Sequence, residues 1–306
     1  MEPVLATSAA AKGWRSDQPL PFQLALAWRR HGPIGKSAIP RMIGRTLGKG
    51  MRTTIPLASG SRLAVDPSNL DVFTNVVANG GWWDRGVTVA LCSAIRDGDV
   101  VYDIGANAGA ISLEVAGRFR DKIKLFAFEP IPSHTQQIAV SVEINNLGDT
   151  VKVYEALLGE QSGTATLYVP RHSIHASMVA READAEKLER PIHRLDDLVA
   201  RGELPAPDVI KIDVEGAELS VFKGALETFR AKPPVILMEA DDNMARFNYT
   251  RADLLGLLRS VSPDYRFQFV DEHTGALSPM TDESAELVSE TRNILALPPG
   301  RDVAQS

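Results

Sequence analysis

From residue 99 onward, short apolar runs alternate with segments in which apolar residues recur at helical spacing. Continuous apolarity over five or six residues is typical of strands covered on both faces of a sheet. Leu219, Phe222, Leu226 and Phe229 illustrate the intervening pattern, which indicates a helix with one buried face. This alternation predicts a parallel, doubly wound α/β sheet with right-handed crossovers. The predicted strands are 100–104, 123–128, 151–155, 209–213 and 235–239.

The first part of the chain follows a different pattern. Residues 21–48 predict short basic helices, and two apolar stretches around 58–61 predict a β-hairpin. Further helices are expected over about 69–79 and about 84–96. The predicted division of the chain is 1–98 for an N-terminal extension of helices and a hairpin, and 99–306 for the α/β domain.

Two further patterns predict local structure. Ser133 with Gln136, and Thr250 with Asp253, have the spacing of capping boxes at helix starts. Residues 171–177 follow a predicted strand at 164–169 and precede a charged stretch at 181–190. We interpret 171–177 as an inserted loop near the strand ends, where substrate contacts are common.

The composition is that of an ordinary globular protein. The chain has 306 residues, 44% of them hydrophobic and 24% charged, which is enough for a sizeable core in one large or two small domains. The single cysteine, Cys92, excludes a disulfide framework, and its apolar neighbours predict a buried thiol. No apolar run approaches the roughly 20 residues of a membrane helix, and no secretory signal pattern is present. A cytoplasmic setting is therefore the default expectation.

Charge is spread unevenly along the chain. The net charge of −6 argues against general nucleic-acid binding. Residues 1–60 nevertheless carry nine Lys or Arg against two acids. This basic segment is interpreted either as a solvated helical arm or as a surface for an anionic substrate, a membrane face or a partner.

The first predicted strand runs into a turn of small residues, DIGANAG at 103–109. Ligands bind beyond the carboxyl ends of strands in such sheets. Gly105 and Gly109 allow the backbone to approach a ligand closely, and the next helix begins with unpaired N–H groups. The pattern lacks the second glycine of the dinucleotide motif GxGxxG, and Asp103 would repel a pyrophosphate. Both features argue against a dehydrogenase and favour a ligand that carries an ammonium group.

Two more strand ends carry acids. Glu129 closes the second predicted strand, 24 positions after Gly105, where a carboxylate accepts hydrogen bonds from two ribose hydroxyls. Pro130 then ends the strand. Glu155 and Ala156 follow the third strand, where they are placed to face an adenine, although Glu155 is equally well read as a solvated loop residue. The turn and Glu129 together predict a nucleoside site.

The fourth predicted strand ends in KIDVEGAE at 211–218. Strand alternation puts Lys211, Asp213 and Glu215 on one face. Ionisable residues at the end of a central strand need partners or a function. A purely structural ion cluster and a catalytic cluster both fit this pattern.

These segments together resemble the FkbM family of S-adenosylmethionine-dependent methyltransferases. The resemblance rests on DIGANAG at 103–109, FEP at 128–130, LDD at 195–197 and KIDVEGAE at 211–218, in this order, and it spans about residues 55–298. The sequence departs from the family pattern at WWD, residues 82–84, where relatives often have residues like Gly-Tyr-Glu. The role of Asp84 in this tripeptide stays open.

The resemblance implies a class I methyltransferase fold, a Rossmann-like sheet of seven strands with an antiparallel last strand. Residues 292–297 are expected to form that strand, beside 265–270. The implied cofactor is S-adenosylmethionine, bound in 99–306, and the implied reaction is O-methylation of a small molecule, a sugar or a polyketide-type product. The extension 1–98 is expected to serve acceptor or dimer contacts, and a homodimer is one expectation for the assembly.

The predicted site residues follow from the turn, the strand ends and the resemblance. The turn is implied to line the methionine and ribose parts, with Asp103 near the amino group, directly or through water. The predicted cofactor-binding residues are Asp103, Gly105, Ala106, Asn107, Gly109, Glu129, Pro130, Glu155, Ala156 and Asp213. The predicted catalytic residues are Asp213, Glu215, His175 and Lys211.

A hydroxyl acceptor must lose its proton, so a general base is expected nearby. The candidates are Asp213, Glu215 and the two histidines of 171–177, His172 and His175. A lone loop histidine such as His175 is more often solvated, and His134 is assigned to a helix start. Hard oxygen ligands for a metal occur at the strand ends, but nothing in the sequence fixes their geometry, so no metal is predicted. Those acids are Asp213, Glu215, Glu239, Asp241 and Asp242.

The sequence leaves two alternatives to an O-methyltransferase. One is a methyltransferase that acts on nitrogen, and the other is a non-catalytic partner subunit that binds the cofactor. Trp82 and Trp83 either stack on a sugar ring or fill the seam between the N-terminal extension and the sheet.

Overall fold

The computed structural model describes residues 1–5, 14, 23, 42, 52–66, 70–169, 177–179, 185–280 and 293–304. Apart from residues 23 and 42, the region 21–48 with its predicted helices lies outside these ranges. The strands are β1 Thr53–Pro56, β2 Arg62–Val65, β3 Val100–Ile104, β4 Lys124–Phe128, β5 Val151–Tyr154, β6 Leu157–Leu158, β7 Gly163–Val169, β8 Glu186–His193, β9 Val209–Ile212, β10 Val235–Glu239, β11 Arg266–Val270, β12 Leu277–Pro279 and β13 Asn293–Leu297. The α-helices are α1 Leu70–Ala78, α2 Arg85–Ala94, α3 Ala110–Phe119, α4 Pro132–Ile144, α5 Leu195–Ala200, α6 Glu218–Lys223, α7 Leu226–Ala231 and α8 Arg251–Val261. Short 3-10 helices span Arg120–Lys122 and Asp242–Phe247.

The central sheet has the order β12-β11-β13-β10-β9-β3-β4-β5. Five neighbouring strands of this sheet are mutually parallel, namely β10, β9, β3, β4 and β5. Strand β13 is antiparallel to both of its neighbours, β10 and β11. The predicted α/β architecture and its reversed last strand are therefore confirmed. The seven expected strands are all present, and β12 pairs with the outer edge of β11 and adds an eighth strand to the sheet.

Both faces of the central sheet are buried, as the continuous apolar runs predict. Alternate strand residues such as Val101 and Leu125 face a core formed with the hairpin and helices α1 to α4. Their neighbours, such as Tyr102 and Phe128, face a second core that includes buried residues of helices α5 to α8. The parallel strands consequently present their carboxyl ends to one edge of the sheet, where a ligand site is expected.

The predicted hairpin is confirmed as β1 and β2, and it packs on α4. The backbone N–H of Ala64 donates to Ser141 Oγ at 2.9 Å, and the Gln137 side-chain amide donates to the Ala64 carbonyl at 2.6 Å. Helix side chains thus satisfy the open edge of the hairpin. The hairpin shares a hydrophobic core with the α/β domain, while its part in acceptor or dimer contacts stays a prediction.

The inserted part of the chain contains a separate three-stranded sheet of β6, β7 and β8. The predicted strand 164–169 is confirmed as part of β7, and residues 186–190 of the charged stretch belong to β8. Cross-strand pairs such as Thr166 with Glu189, at 2.6 Å, and Leu167 opposite Leu188 stabilise the pairing despite the charged composition. Residues 170–176, with the predicted base His175, lie outside the described ranges.

The two predicted helix caps have different outcomes. Thr250 and Asp253 form a reciprocal capping box at the start of α8, as predicted. Ser133 caps nothing, because α4 begins at Pro132 and its cap, Ile131, offers no side-chain acceptor. Proline favours the first helical position through its fixed φ, and this places Ser133 inside the first turn.

None of the helices in the described ranges combines the length and apolarity needed to span a bilayer.

The LDD motif has a structural role in α5. Asp196 is buried, and its carboxylate accepts hydrogen bonds from the backbone N–H groups of Glu227 at 3.1 Å and Thr228 at 2.8 Å. These donors belong to the first turn of α7 and have no partner within that helix. The next acid, Asp197, accepts from Ser162 Oγ at 3.0 Å in a more exposed position. Asp196 therefore joins α5 to α7.

We expect Asp196→Ala to lower the free energy of unfolding by about 2 kcal/mol, because it leaves buried N–H donors without an acceptor. Asp197→Ala is the matched control and should cost less than about 1 kcal/mol, as for exposed polar contacts. Urea denaturation of both variants checks the difference. Equal losses for the two variants would contradict the capping role of Asp196.

Candidate active site

A cavity of about 240 Å³ opens at the carboxyl ends of β3, β4, β9 and β10. The glycine turn forms one wall, and Glu129 with Pro130 forms the next. Asp213, which follows β9, and Glu239, the last residue of β10, line the acidic end of the cavity. Ala156, Leu157 and Leu158, after β5, contribute an apolar side. The predicted strand ends are thus brought together around one space.

The glycine turn adopts backbone angles that disfavour other residues. Gly105 and Gly109 have φ of +80° and +81°, and Asn107 has φ of +52°. A Cβ on Gly105 would collide with the backbone carbonyl of Asp213, and one on Gly109 would lie 2.7 Å from Ile138. Glycine is therefore required at both positions by its positive φ and by close packing against other protein atoms. From the sequence, the close approach at these glycines was expected to come from a ligand.

Glu129 is anchored behind the turn. Its Oε2 accepts the backbone N–H of Asn107 at 2.9 Å, and its Oε1 accepts that of Ile131 at 3.1 Å. His134, in α4 as predicted, places Nδ1 3.4 Å from Oε1. Each carboxylate oxygen keeps a further lone pair for another donor. The Glu129 carboxylate is thus held rigidly at the cavity wall.

Lys211 is buried at the junction of β3 and β9. Its Nζ donates to the Gly105 carbonyl at 3.0 Å and lies 3.4 Å from Asp103 Oδ1 and 3.6 Å from Asp213 Oδ2. Burial acts to lower the pKa of Lys211, but the charges of Asp103 and Asp213 outweigh it and raise that pKa above its ordinary value. The lysine is therefore a fixed cation and no proton acceptor.

Asp103 lies behind the turn and not on the cavity wall. Its Oδ2 accepts the hydroxyl of Ser112, and its other oxygen faces Lys211. The side chain is buried, and the cavity lining begins one residue later, at Ile104. The structure thus gives Asp103 a charge-pairing role; its contact with a cofactor amino group, directly or through water, stays a prediction.

The loop after β9 is held in an unusual shape. Glu215 has φ of +57° and Gly216 φ of +100°. The buried Glu218 accepts the N–H of Val214 at 3.0 Å and the hydroxyl of Tyr249 at 2.8 Å. Burial raises the pKa of Glu218. Glu218, which the sequence analysis did not single out, thus fixes the loop that presents Asp213 and Glu215 to the cavity.

Two more acids reach the cavity. Asp84 caps α2 by accepting the N–H of Val87 at 3.1 Å, and burial raises its pKa to about 6. Glu239 ends β10; burial, followed by the charge of Asp213, raises its pKa to about 9. From the sequence, the role of Asp84 was left open, and Glu239 was named among the acids that offer oxygen ligands for a metal. The position of Glu239 at a strand end was the available signal.

The remaining predicted residues differ in their placement. Ala106 and Ala156 line the cavity. Glu155 accepts the hydroxyl of Thr135 at 3.1 Å and does not line it. Trp83 packs against the core and also lines the cavity, while the Trp82 ring lies under the Arg118 guanidinium, 4.9 Å from the ring centroid.

The inserted sheet closes one side of the cavity. Leu167 of β7 and the adjacent Met178 line it. Arg190 of β8 donates from Nε to the carbonyl of Pro130 at 2.8 Å. The insert is thereby fastened to the loop that follows Glu129.

Among the described residues, no three histidine, cysteine, aspartate or glutamate side chains converge as metal ligands would. Cys92 is a free thiol packed against the core, away from the cavity lining, and burial raises its pKa to about 11.

Residues 103–269 match the family model described as the methyltransferase FkbM domain. The hexuronic acid methyltransferase AglP of Haloferax volcanii is 27% identical over 154 residues, covering 50% of this chain and 61% of the relative. The 2-O-methyltransferase NoeI of Sinorhizobium fredii is 27% identical over 151 residues, covering 42% and 58%. This chain thus spans less than two thirds of the length of either relative.

A crystal structure of a methyltransferase FkbM from Methylobacillus flagellatus KT aligns with 76% of this chain and 54% of that one, at 17% identity and a TM-score of 0.47. The family match covers more than half of this chain and contains the glycine turn, Glu129 and the acidic loop. The chain therefore belongs to the FkbM methyltransferase family and has a class I methyltransferase fold.

Proposed function

We propose that this protein is an S-adenosylmethionine-dependent O-methyltransferase that acts on a hydroxyl group of a small molecule, in particular a sugar, glycan or polyketide-type product. One observation carries the proposal: a single cavity joins the glycine turn, the Glu129 carboxylate and the acids at the carboxyl ends of β9 and β10. The first two features suit a nucleoside, and the third suits an acceptor that must lose a proton.

The cavity wall fits the methyl donor. Glu129 is held by two backbone N–H groups and retains lone pairs for the two ribose hydroxyls. Asn107 places a buried Oδ1 that has no hydrogen-bond partner among the described residues, and this oxygen suits an ammonium donor. Ala156 and Leu157 supply an apolar surface for the adenine. S-adenosylmethionine, when bound, supplies a methyl group activated by its sulfonium.

The acidic end of the cavity fits a neutral hydroxyl. The lining includes the carboxyl groups of Asp84, Asp213, Glu215 and Glu239, and Lys211 is the cation that the described lining places among them. This excess of acid disfavours an anionic group at the reacting position. Alignment of the acceptor oxygen and removal of its proton are then the work of these side chains.

The names of the relatives agree with an oxygen acceptor on a sugar. One is a hexuronic acid methyltransferase, and another is a 2-O-methyltransferase. For this chain we assign the class of acceptor, a hydroxyl on a small molecule or glycan.

Loss of the Glu129 carboxylate should weaken binding of the donor about 10- to 100-fold, the equivalent of one or two charge-assisted hydrogen bonds. Calorimetry with S-adenosylhomocysteine measures this for Glu129→Ala and for Glu129→Gln, which keeps the side-chain shape. Glu143→Gln, on the exposed face of α4, is the control. Unchanged affinity in both Glu129 variants would contradict the ribose role.

Asp213→Asn should reduce methyl transfer at least about 100-fold, because general base contributions are typically of this size. Release of S-adenosylhomocysteine with a panel of hydroxylated acceptors measures turnover. The circular dichroism spectrum should stay at that of the wild type, because asparagine keeps the shape of the side chain. Transfer near the wild-type rate would remove Asp213 from the mechanism, and donor binding without release in the wild type would favour a non-catalytic partner subunit.

A further inference from the structure

Two neighbouring strands bring carboxyl groups together at the acidic end of the cavity. Strands β9 and β10 are parallel, with Ile212 opposite Met238. The residues that follow this pair, Asp213 and Glu239, therefore leave the sheet side by side. Both side chains line the cavity, and the charge of Asp213 acts on the Glu239 carboxyl group. The strand pairing thus brings together two residues that are 26 positions apart in the sequence.

Two carboxylates placed side by side repel each other and can only accept hydrogen bonds, whereas a proton on one of them removes the repulsion and lets it donate to the other. The proton resides on Glu239, since burial and the charge of Asp213 raise its pKa to about 9. Lys211 Nζ, 3.6 Å from Asp213 Oδ2, stabilises the single negative charge that is left on the pair. At neutral pH the pair therefore holds one proton and has room for a second.

Other charged groups surround this pair and set its protonation. Glu215 and Asp241 add negative charge beside Glu239, and Lys211 adds positive charge from β9. Asp84, at the start of α2, interacts with Asp213 and Lys211, and Glu272, two residues after β11, interacts with Asp84. The described groups that face the pair are thus mostly acidic, and they favour retention of the shared proton.

We propose that Glu239 is a further catalytic residue of this site, which forms with Asp213 a carboxyl pair that shares one proton and accepts a second from the acceptor hydroxyl. The inference rests on the proposed function.

The transfer balances with the pair as the only proton acceptor. The acceptor oxygen forms a bond to the methyl carbon, and the carbon–sulfur bond breaks with its electron pair left on sulfur, which becomes a neutral thioether. The hydroxyl proton moves to the carboxyl pair, which becomes neutral, and then to water. No oxidant, reductant or metal is needed.

Neighbouring groups are less suited to accept this proton. Lys211 is held as a cation by Asp103 and Asp213. Asp84 is engaged as the cap of α2. Glu215 Oε2 accepts the side-chain amide of Asn243 at 3.2 Å. Asp213 and Glu239 thus remain as the acidic residues of the cavity wall that are best placed to accept the proton together.

Infrared titration of the protein with S-adenosylhomocysteine tests the shared proton without an acceptor. We expect the carbonyl band of a protonated carboxylic acid at pH 7, lost as the pH rises through about 9. Glu239→Gln should abolish this band, and Asp213→Asn should move its loss to lower pH. The control Glu143→Gln, exposed on α4, should leave it unchanged. Absence of the band at pH 7, or a midpoint insensitive to Asp213→Asn, would overturn the pair.

The same proton should appear in stability measurements. Because the pKa of Glu239 is raised in the folded state above its ordinary value of 4.5, the folded protein alone keeps this proton between about pH 5 and 9. Its contribution to stability is complete below pH 4.5 and is lost as the pH rises through about 9. Glu239→Gln should therefore have a flatter dependence of Tm on pH than the wild type and Glu143→Gln. A dependence identical to that of the wild type would contradict the assignment.

Turnover then tests the catalytic role. Glu239→Gln should lower kcat about 10- to 100-fold at pH 7 and leave acceptor KM and donor affinity within twofold, because the amide keeps the contact and cannot carry the proton. A shared proton in the infrared titration with unaltered kcat in Glu239→Gln would refute catalysis by Glu239. An infrared result as expected with no transfer to any hydroxylated acceptor would instead refute the proposed function.

Discussion

The ammonium group of Lys211 is the cation on which the acidic end of the cavity depends. It lies between Asp103 and Asp213 and donates to the carbonyl of Gly105. Removal of this charge would leave the buried carboxylate of Asp103 without compensation, at a cost of several kcal/mol. The ion cluster around Lys211 thus fixes the glycine turn and the residue after β9 in relation to each other. The two parts of the cavity wall that we propose for the donor and the acceptor share this support.

Much of the fold followed from local sequence patterns. Apolar runs marked β3, β4, β5, β9 and β10 within one residue of their observed bounds, because strands buried on both faces admit few polar residues. The edge of the sheet was less predictable. Strand β12 is short and exposed at two of its three residues, so its sequence carries little apolar signal. Strand β8 is charged and gains its order from pairing with β7.

The candidate site was predictable where its residues are close in sequence or end a strand. Gly105, Glu129 and Asp213 meet these conditions, and the structure brings them to one cavity. The contact between Asp213 and Glu239 was not predictable in this way, since it depends on which strands become neighbours. The same holds for Asp103, whose burial behind the turn depends on Lys211 from a strand more than a hundred residues away.

The hydrogen bond from Arg190 to the carbonyl of Pro130 links the inserted sheet to the loop that follows Glu129. The inserted sheet carries Leu167 and lies beside Met178 on the cavity wall, whereas the loop after Glu129 belongs to the part of the wall that we propose for the nucleoside. Insertions of this kind tolerate sequence change more readily than a central sheet. Substitutions that reshape the insert for a new acceptor would therefore also disturb the grip on the donor. Selectivity and cofactor affinity are expected to evolve together in this protein.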